Sequence, residues 1–89
     1  MISKPLPIIN KLGLHARAAA KLVNTASLYK CHVTISKDEQ SINGKSIMGV
    51  MMLAAAKGST ITVTTDGEDE INAMNAIEKL VAARFDEGE

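Results

Sequence analysis

Apolar residues recur along this chain with two different periods, and the periods alternate. Apolar and polar residues alternate over residues 31–36 and 60–64, which predicts strands with one buried face. An i, i+3, i+4, i+7 spacing marks residues 16–27 and the stretch from Glu68 to Phe85, which predicts two amphipathic helices. The pattern therefore favours a fold in which strands and helices follow one another.

Shorter segments complete the set of predicted elements. Residues 2–9 are apolar and extended, and Pro5 and Pro7 favour an edge strand because proline cannot donate to a central ladder. Residues 40–43 predict a short returning strand after a turn. Residues 47–56 predict one more helix, largely apolar, which is the second along the chain and lies between the strands at 40–43 and 60–64.

The predicted order is βαββαβα, and residues 1–89 are expected to form a single domain. Such a chain is expected to fold as a two-layer α+β domain, with three helices on one face of a four-stranded antiparallel sheet. A split βαβ arrangement of the ferredoxin type would give the same pattern. The order of elements therefore leaves the order of strands in the sheet open.

Composition and charge narrow the classes of function. The chain is 46% hydrophobic but only 2% aromatic, and its formal net charge is zero. Nucleic acid is therefore not an expected partner, and a split βαβ module that binds RNA or a small metabolite is disfavoured. The charges are unevenly placed, however: residues 1–57 hold eight Lys/Arg and two Asp/Glu, and residues 58–89 hold two and eight. A basic surface in the first part would attract acidic or phosphorylated partners.

Cysteine count and hydropathy suggest the compartment. Cys31 is the only cysteine, so no internal disulfide can form, and a reducing environment is expected. No stretch approaches the roughly 20 apolar residues of a membrane span, and no signal peptide is evident. A cytoplasmic location without membrane insertion is expected. The two histidines and one cysteine have no ligand spacing, so neither a metal nor another cofactor is expected.

Residues 13–21, GLHARAAAK, contain the strongest candidate site. A turn glycine and then His15 precede helix-favouring alanines, so the imidazole is expected at the start of a helix. The N–H groups there, beginning with that of Ala16, and the guanidinium of Arg17 would receive an anion. A neutral imidazole beside them is a nucleophile suited to accepting a phosphoryl group. The alternative is a purely structural histidine, which is the interpretation we adopt for His32.

The helix predicted over residues 47–56 carries a second candidate site. Ser46 is its expected N-cap. Helical spacing brings a set of apolar side chains to one side of it, which we call the methionine face: Ile47, Met48, Met51 and Met52. If exposed, this face would bind a partner, although the spacing equally allows a helix buried in the core. A phosphate on Ser46 would be tolerated at the helix start, because negative charge is favourable there, so the helix would not unfold. The same charge would lie at the border of the methionine face and would therefore weaken docking.

Two motifs carry a resemblance to a known family. Residues 13–17, GLHAR, and residues 44–51, GKSIMGVM, resemble the HPr family of histidine phosphocarriers in the bacterial phosphoenolpyruvate-dependent sugar phosphotransferase system. The resemblance covers essentially the whole chain and implies an open-faced β-sandwich with sheet order 1-4-2-3. It implies that His15 takes a phosphoryl group on Nδ1 from enzyme I and passes it to enzyme IIA proteins, with Arg17 stabilising the group.

The same resemblance implies that Ser46 is the target of an HPr kinase/phosphorylase and that the chain is a monomeric transfer intermediate. Ala18 departs from the proline that many HPr proteins have after the arginine. Residues 18–20 also resemble the nitrogen-related branch of the family, which serves regulation, whereas the Ser46 motif resembles the kinase-regulated sugar branch. The alternatives to a sugar-system carrier are therefore a nitrogen-branch carrier and a non-catalytic regulatory module that binds partners through the methionine face.

Overall fold

The computed structural model describes residues 1–86, and its elements follow the predicted order. The strands and helices are β1 Ile2–Pro7, α1 Ala16–Ala26, β2 His32–Lys37, β3 Gln40–Asn43, α2 Ile47–Met52, β4 Thr60–Asp66 and α3 Glu70–Ala82. A single 3₁₀ turn, Arg84–Asp86, follows α3. Within these residues, every helix is too short or too polar to cross a bilayer.

The four strands form one antiparallel sheet in the order β1-β4-β2-β3. This is the order that the family resemblance implies and that the pattern of elements left open. Thr64 of β4 pairs with Ser3 of β1 on one side and with Thr34 of β2 on the other. Because β1 lies at an edge, Pro5 and Pro7 occupy a strand with one unpaired side, as predicted.

Alternation along the strands gives the sheet one buried face and one open face. Ile61 of β4 and Ile35 of β2 are fully buried and join a cluster that includes the buried side chains of all three helices. The open face carries hydroxyl side chains, and the oxygens of Ser3 and Thr64 lie 2.7 Å apart there. The result is a two-layer, open-faced sandwich with the helices on one side.

The second helix, α2, ends at Met52, four residues before the predicted end at Ala56. Ala54 adopts a left-handed φ of 50° and turns the chain inward. Ala55 is then 2% exposed, and its carbonyl oxygen accepts the N–H of Leu14 at 2.8 Å. The predicted last turn of this helix is therefore a loop in which Ala55 is buried while Ala54 and Ala56 are exposed. An apolar run cannot be distinguished as loop or helix by its pattern alone.

The third helix, α3, ends at Ala82 rather than continuing to Phe85 as predicted. Arg84, Phe85 and Asp86 have φ angles of 55°, 53° and 62°, a left-handed conformation that costs a non-glycine residue roughly 1–2 kcal/mol. Phe85 is nevertheless fully buried, and Lys21 Nζ donates to its carbonyl oxygen at 2.7 Å. The core thus takes its only phenylalanine from a tight turn, since burial of the ring offsets the backbone cost.

Asp69 is the N-cap residue of α3, but its side chain bonds to another segment rather than to the helix. The two carboxylate oxygens of Asp69 accept the backbone N–H groups of Lys30 and Cys31 at 2.8 and 2.9 Å, and the helix begins at Glu70. The bond from Lys30, and after it the bond from Cys31, lower the pKa of Asp69 below the usual range. One carboxylate therefore joins the start of α3 to the segment before β2.

We expect Asp69→Asn to lower the free energy of unfolding at neutral pH, because an amide presents an NH₂ group to one of the two N–H donors. The folded state lowers the pKa of Asp69, so its contribution is present above the unfolded pKa of about 3.9 and is lost as pH falls through the lower folded value. Urea denaturation from about pH 7 down to about pH 3 should show the two chains converging. The control is Glu68→Gln at an exposed carboxylate. A gap between the Asp69→Asn and wild-type chains that stays constant with pH would contradict the assignment.

Candidate functional site

A tight loop before α1 fixes the position of the candidate histidine. Gly13 has a φ of +65°, its N–H donates to the carbonyl of Asn10 at 3.2 Å, and its own carbonyl accepts the Asn10 side-chain amide at 2.8 Å. The next N–H, of Leu14, donates to the carbonyl of Ala55. A Cβ on Gly13 would lie 2.5 Å from that carbonyl oxygen, so only glycine allows the two loops to approach this closely.

His15 is the N-cap residue of α1, where the sequence pattern also places it. Its backbone is extended, with φ −74° and ψ 178°, and its carbonyl accepts the N–H of Ala19 at 2.8 Å. Its half-buried side chain makes no capping hydrogen bond to the helix. The N–H groups of the first turn, beginning with Ala16, have no carbonyl one helical turn before them and carry the positive end of the helix dipole.

The imidazole of His15 lies in an open depression of about 660 Å³. The depression is lined by Lys11, Leu12, His15, Ala16, Arg17, Lys21 and Asp86. Three cationic side chains and a helix start therefore surround one histidine, with one carboxylate on the lining. This arrangement suits a negatively charged tetrahedral group bound at the imidazole.

The chemistry available here is transfer of an anionic group to and from a ring nitrogen. The sequence motif brings His15, Ala16 and Arg17 together on the lining, as the structure places them. Across the described residues, no three His, Cys, Asp or Glu side chains are grouped so that they could hold a metal ion. The groups on hand are thus an imidazole nucleophile, backbone N–H donors and cationic side chains.

Sequence reasoning missed four residues of the lining: Lys11, Leu12, Lys21 and Asp86. Lys21 lies four residues after Arg17 on α1, so helical spacing could have found it. Asp86 could not be found in this way, because a helix that continued to Phe85 would not bring Asp86 to this depression. Its position depends on the left-handed turn that follows α3.

The structure places the methionine face on the surface, rather than in the core. The exposed fractions are 44% for Ile47, 73% for Met48, 42% for Met51 and 70% for Met52. On the opposite side of α2, Val50 is fully buried. The hydroxyl oxygen of Ser46 accepts the N–H of Gly49 at 3.1 Å, so Ser46 caps the helix as predicted.

The two candidate sites lie at opposite ends of a pair of packed helices. Next to Ser46, Lys45 Nζ donates to the carbonyl of Tyr29, just past the end of α1. Next to His15, the N–H of Leu14 donates to a carbonyl in the loop after α2. The helices therefore run antiparallel, and α2, which rises about 9 Å over its six residues, separates the serine from the histidine.

Comparison with known proteins gives consistent matches over nearly the whole chain. Residues 2–83 match the family model described as the PTS HPr component phosphorylation site. "Phosphocarrier protein HPr" of Neisseria meningitidis serogroup A is 54% identical over 89 residues, which is 100% of both chains. The crystal structure of HPr-C-His from Thermoanaerobacter tengcongensis superposes with a TM-score of 0.95 at 39% identity, covering 98% of each chain.

A second structure from Thermoanaerobacter tengcongensis is described as an HPr dimer. It is 39% identical, with a TM-score of 0.77, and the match covers 96% of this chain and 98% of the other. Chains similar to this one have thus been crystallised in a dimeric form. The monomeric state expected from the sequence stays a prediction.

Proposed function

The chain belongs to the HPr family of phosphocarriers of the phosphotransferase system, and on that premise we propose that it relays a phosphoryl group from phospho-enzyme I to enzyme IIA proteins through His15. The observation that carries the proposal is the position of His15 at the start of α1, in a depression lined by Lys11, Arg17 and Lys21. This depression brings together an imidazole, the start of a helix and cationic side chains.

In the first transfer, the neutral Nδ1 of His15 attacks the phosphorus atom of the donor. The bond from Nδ1 to phosphorus forms as the bond from phosphorus to the donor breaks, and the donor keeps that electron pair. The proton of the imidazole stays on Nε2. In the second transfer, a nucleophile of the acceptor attacks the same phosphorus, and the electron pair of the breaking bond returns to Nδ1.

Two neighbours of His15 would hold the transferred group. The N–H of Ala16, in the first turn of α1, would donate to a phosphoryl oxygen. The exposed guanidinium of Arg17 would add a charge-assisted hydrogen bond, which contributes about 1.5–3 kcal/mol when well formed. Both groups act on charge that develops at the phosphoryl oxygens, so they favour transfer without taking part in the bond exchange.

The experiment that tests the relay is phosphorylation by enzyme I and phosphoenolpyruvate, followed by addition of an enzyme IIA protein. The expected product carries one acid-labile, alkali-stable phosphate, which phosphorus NMR and peptide mapping should assign to Nδ1 of His15. The label should then move to enzyme IIA. Phosphate that survives acid, as a phosphate ester on a hydroxyl does, would contradict the proposal.

The methionine face supports a second part of the proposal, which is docking and its regulation. Its four side chains carry no charge and are 42–73% exposed, which fits a surface that contacts transfer partners. We assign Ser46 as the residue that an HPr kinase/phosphorylase modifies. A phosphate there would still accept the N–H of Gly49, and it would add about −1.5 to −2 charges beside Ile47.

Ser46→Asp is expected to raise the KM of enzyme I for this chain by about tenfold, because a charge at the border of an apolar surface must be desolvated on docking. The maximal rate and the melting temperature should change little, since Asp is also a good N-cap. Ser46→Asn is the matched control: it keeps the cap without charge and should behave like the wild type. A lower maximal rate with unchanged half-saturation would point to an effect on the chemistry instead.

A further inference from the structure

The turn after α3 is held in place through its backbone and through a buried ring, and a carboxylate lies at its end. Three successive residues, Arg84, Phe85 and Asp86, have positive φ angles, and such a conformation persists only where its surroundings impose it. Phe85 is fully buried, and its carbonyl accepts Lys21 Nζ at 2.7 Å. The N–H of Asp86 donates to the carbonyl of Ala83 at 3.0 Å. We call Arg84–Asp86 the C-terminal strap.

The strap brings Asp86 to the lining of the depression that contains His15. Among the described residues that line it, Asp86 is the one acidic side chain, while Lys11, Arg17 and Lys21 are cationic. One of those cations, Lys21, also donates the hydrogen bond that holds the strap. A residue of the depression therefore helps to hold the strap that carries a negative charge to the same lining.

Resting on the relay described above, we propose that Asp86 sets the phosphoryl-transfer potential of His15. A phosphoryl group on the ring carries negative charge, and a carboxylate on the same lining repels it. The same carboxylate attracts the cations that would otherwise hold the group. Asp86 makes and breaks no bond in either transfer. It raises the free energy of the phosphorylated chain relative to the unphosphorylated one.

Such a residue answers a requirement of any carrier. The three cations and the helix start stabilise the phosphorylated form, and this makes the second transfer less favourable. A carboxylate on the same lining offsets part of that stabilisation, so both transfers stay close to balance. Because the strap fixes the backbone of Asp86 and an aspartate side chain is short, the charge stays near the depression.

The test is a competition for one phosphoryl group. Equal amounts of wild-type chain and Asp86→Asn, one of them isotopically labelled, share a limiting phosphoryl supply through a catalytic amount of enzyme I. At equilibrium the two phosphorylated forms are counted by mass spectrometry. We expect the phosphoryl group to favour Asp86→Asn by about three- to tenfold, and this preference to fall towards one at about 1 M salt, where charges are screened within about 3 Å.

The variants separate this role from a structural one. Asparagine tolerates a φ of 62°, so Asp86→Asn keeps the strap. Glu68→Gln makes the same change of net charge at the other end of α3 and should share the phosphoryl group equally with the wild type. Equal sharing by Asp86→Asn, or a preference that salt does not reduce, would overturn the inference while leaving the relay intact. No phosphate on His15 of any chain would overturn the relay itself and the inference with it.

Discussion

His15→Ala is expected to lower phosphorylation by enzyme I by at least about a thousandfold, because it removes the group of this chain that bonds to phosphorus in the proposed relay. The fold should be retained, since the His15 side chain makes no capping hydrogen bond to α1 and the backbone of the cap is kept. The measurement is the initial rate of acid-labile phosphate incorporation, together with a thermal melt of both chains. A melting temperature close to that of the wild type would separate lost chemistry from lost structure.

The matched control is His32→Ala. His32 is the only other histidine, and it lies exposed at the start of β2, opposite Asp66 of β4. This variant should incorporate phosphate at the rate of the wild type. The relay through His15 would be refuted by undiminished incorporation into His15→Ala, and a loss in His32→Ala would move the site to β2.

Gly13→Ala is expected to destabilise the fold by about 2–4 kcal/mol. The left-handed backbone alone costs an alanine about 1 kcal/mol or more, and the new Cβ would lie 2.5 Å from the carbonyl oxygen of Ala55 and 2.9 Å from Cα of Ala56. Both atoms belong to backbone, so the two loops must separate. For a domain of this size, that corresponds to a melting temperature lower by about 10–25 °C. Phosphorylation at a permissive temperature should also slow, because this loop positions His15.

Gly58→Ala separates the two contributions. Gly58 has a φ of 92°, and a Cβ added there would meet nothing within 4 Å, so this variant has only the backbone cost. It should therefore melt well above Gly13→Ala and show a normal rate of phosphorylation. Equal destabilisation of the two variants would show that the approach of Gly13 to Ala55 contributes nothing.

Local patterns in the sequence were enough to predict the strands and helices, but not their ends. Alternation in β2 and β4 reports burial directly, because one face of the sheet packs against helices and the other is open. The ends of α2 and α3 depend on long-range contacts instead. The chain turns at Ala54, and the carbonyl of Ala55 then accepts the N–H of Leu14. Phe85 is buried in the core from the turn after α3 rather than from the helix itself.

The same distinction applies to the candidate site. His15, Arg17 and Ser46 could be found because a capped helix start is a local feature, written in a few consecutive residues. The strand order could be inferred only through the family resemblance, since the sequence pattern does not say which strands pair. Asp86 was missed because it reaches the depression only through three left-handed residues and the burial of Phe85.

Ala18 illustrates how one substitution can be accommodated. The residue is fully buried in the first turn of α1, before Ala19, whose N–H makes the bond to the His15 carbonyl. An N–H at this position has no helical partner to lose, so a proline or an alanine fits the backbone equally well. The difference between the two residues therefore concerns side-chain packing rather than the helix itself.

The open face of the sheet has a practical consequence for anyone who wishes to observe this carrier at work. The depression around His15 and the methionine face both lie on the helical layer. Thr62 of β4 is exposed on the opposite, open face of the sheet. Cys31 is 3% exposed, so a cysteine introduced in place of Thr62 would be the accessible thiol of the chain. A fluorophore or surface tether attached there would report on docking without blocking the docking surface.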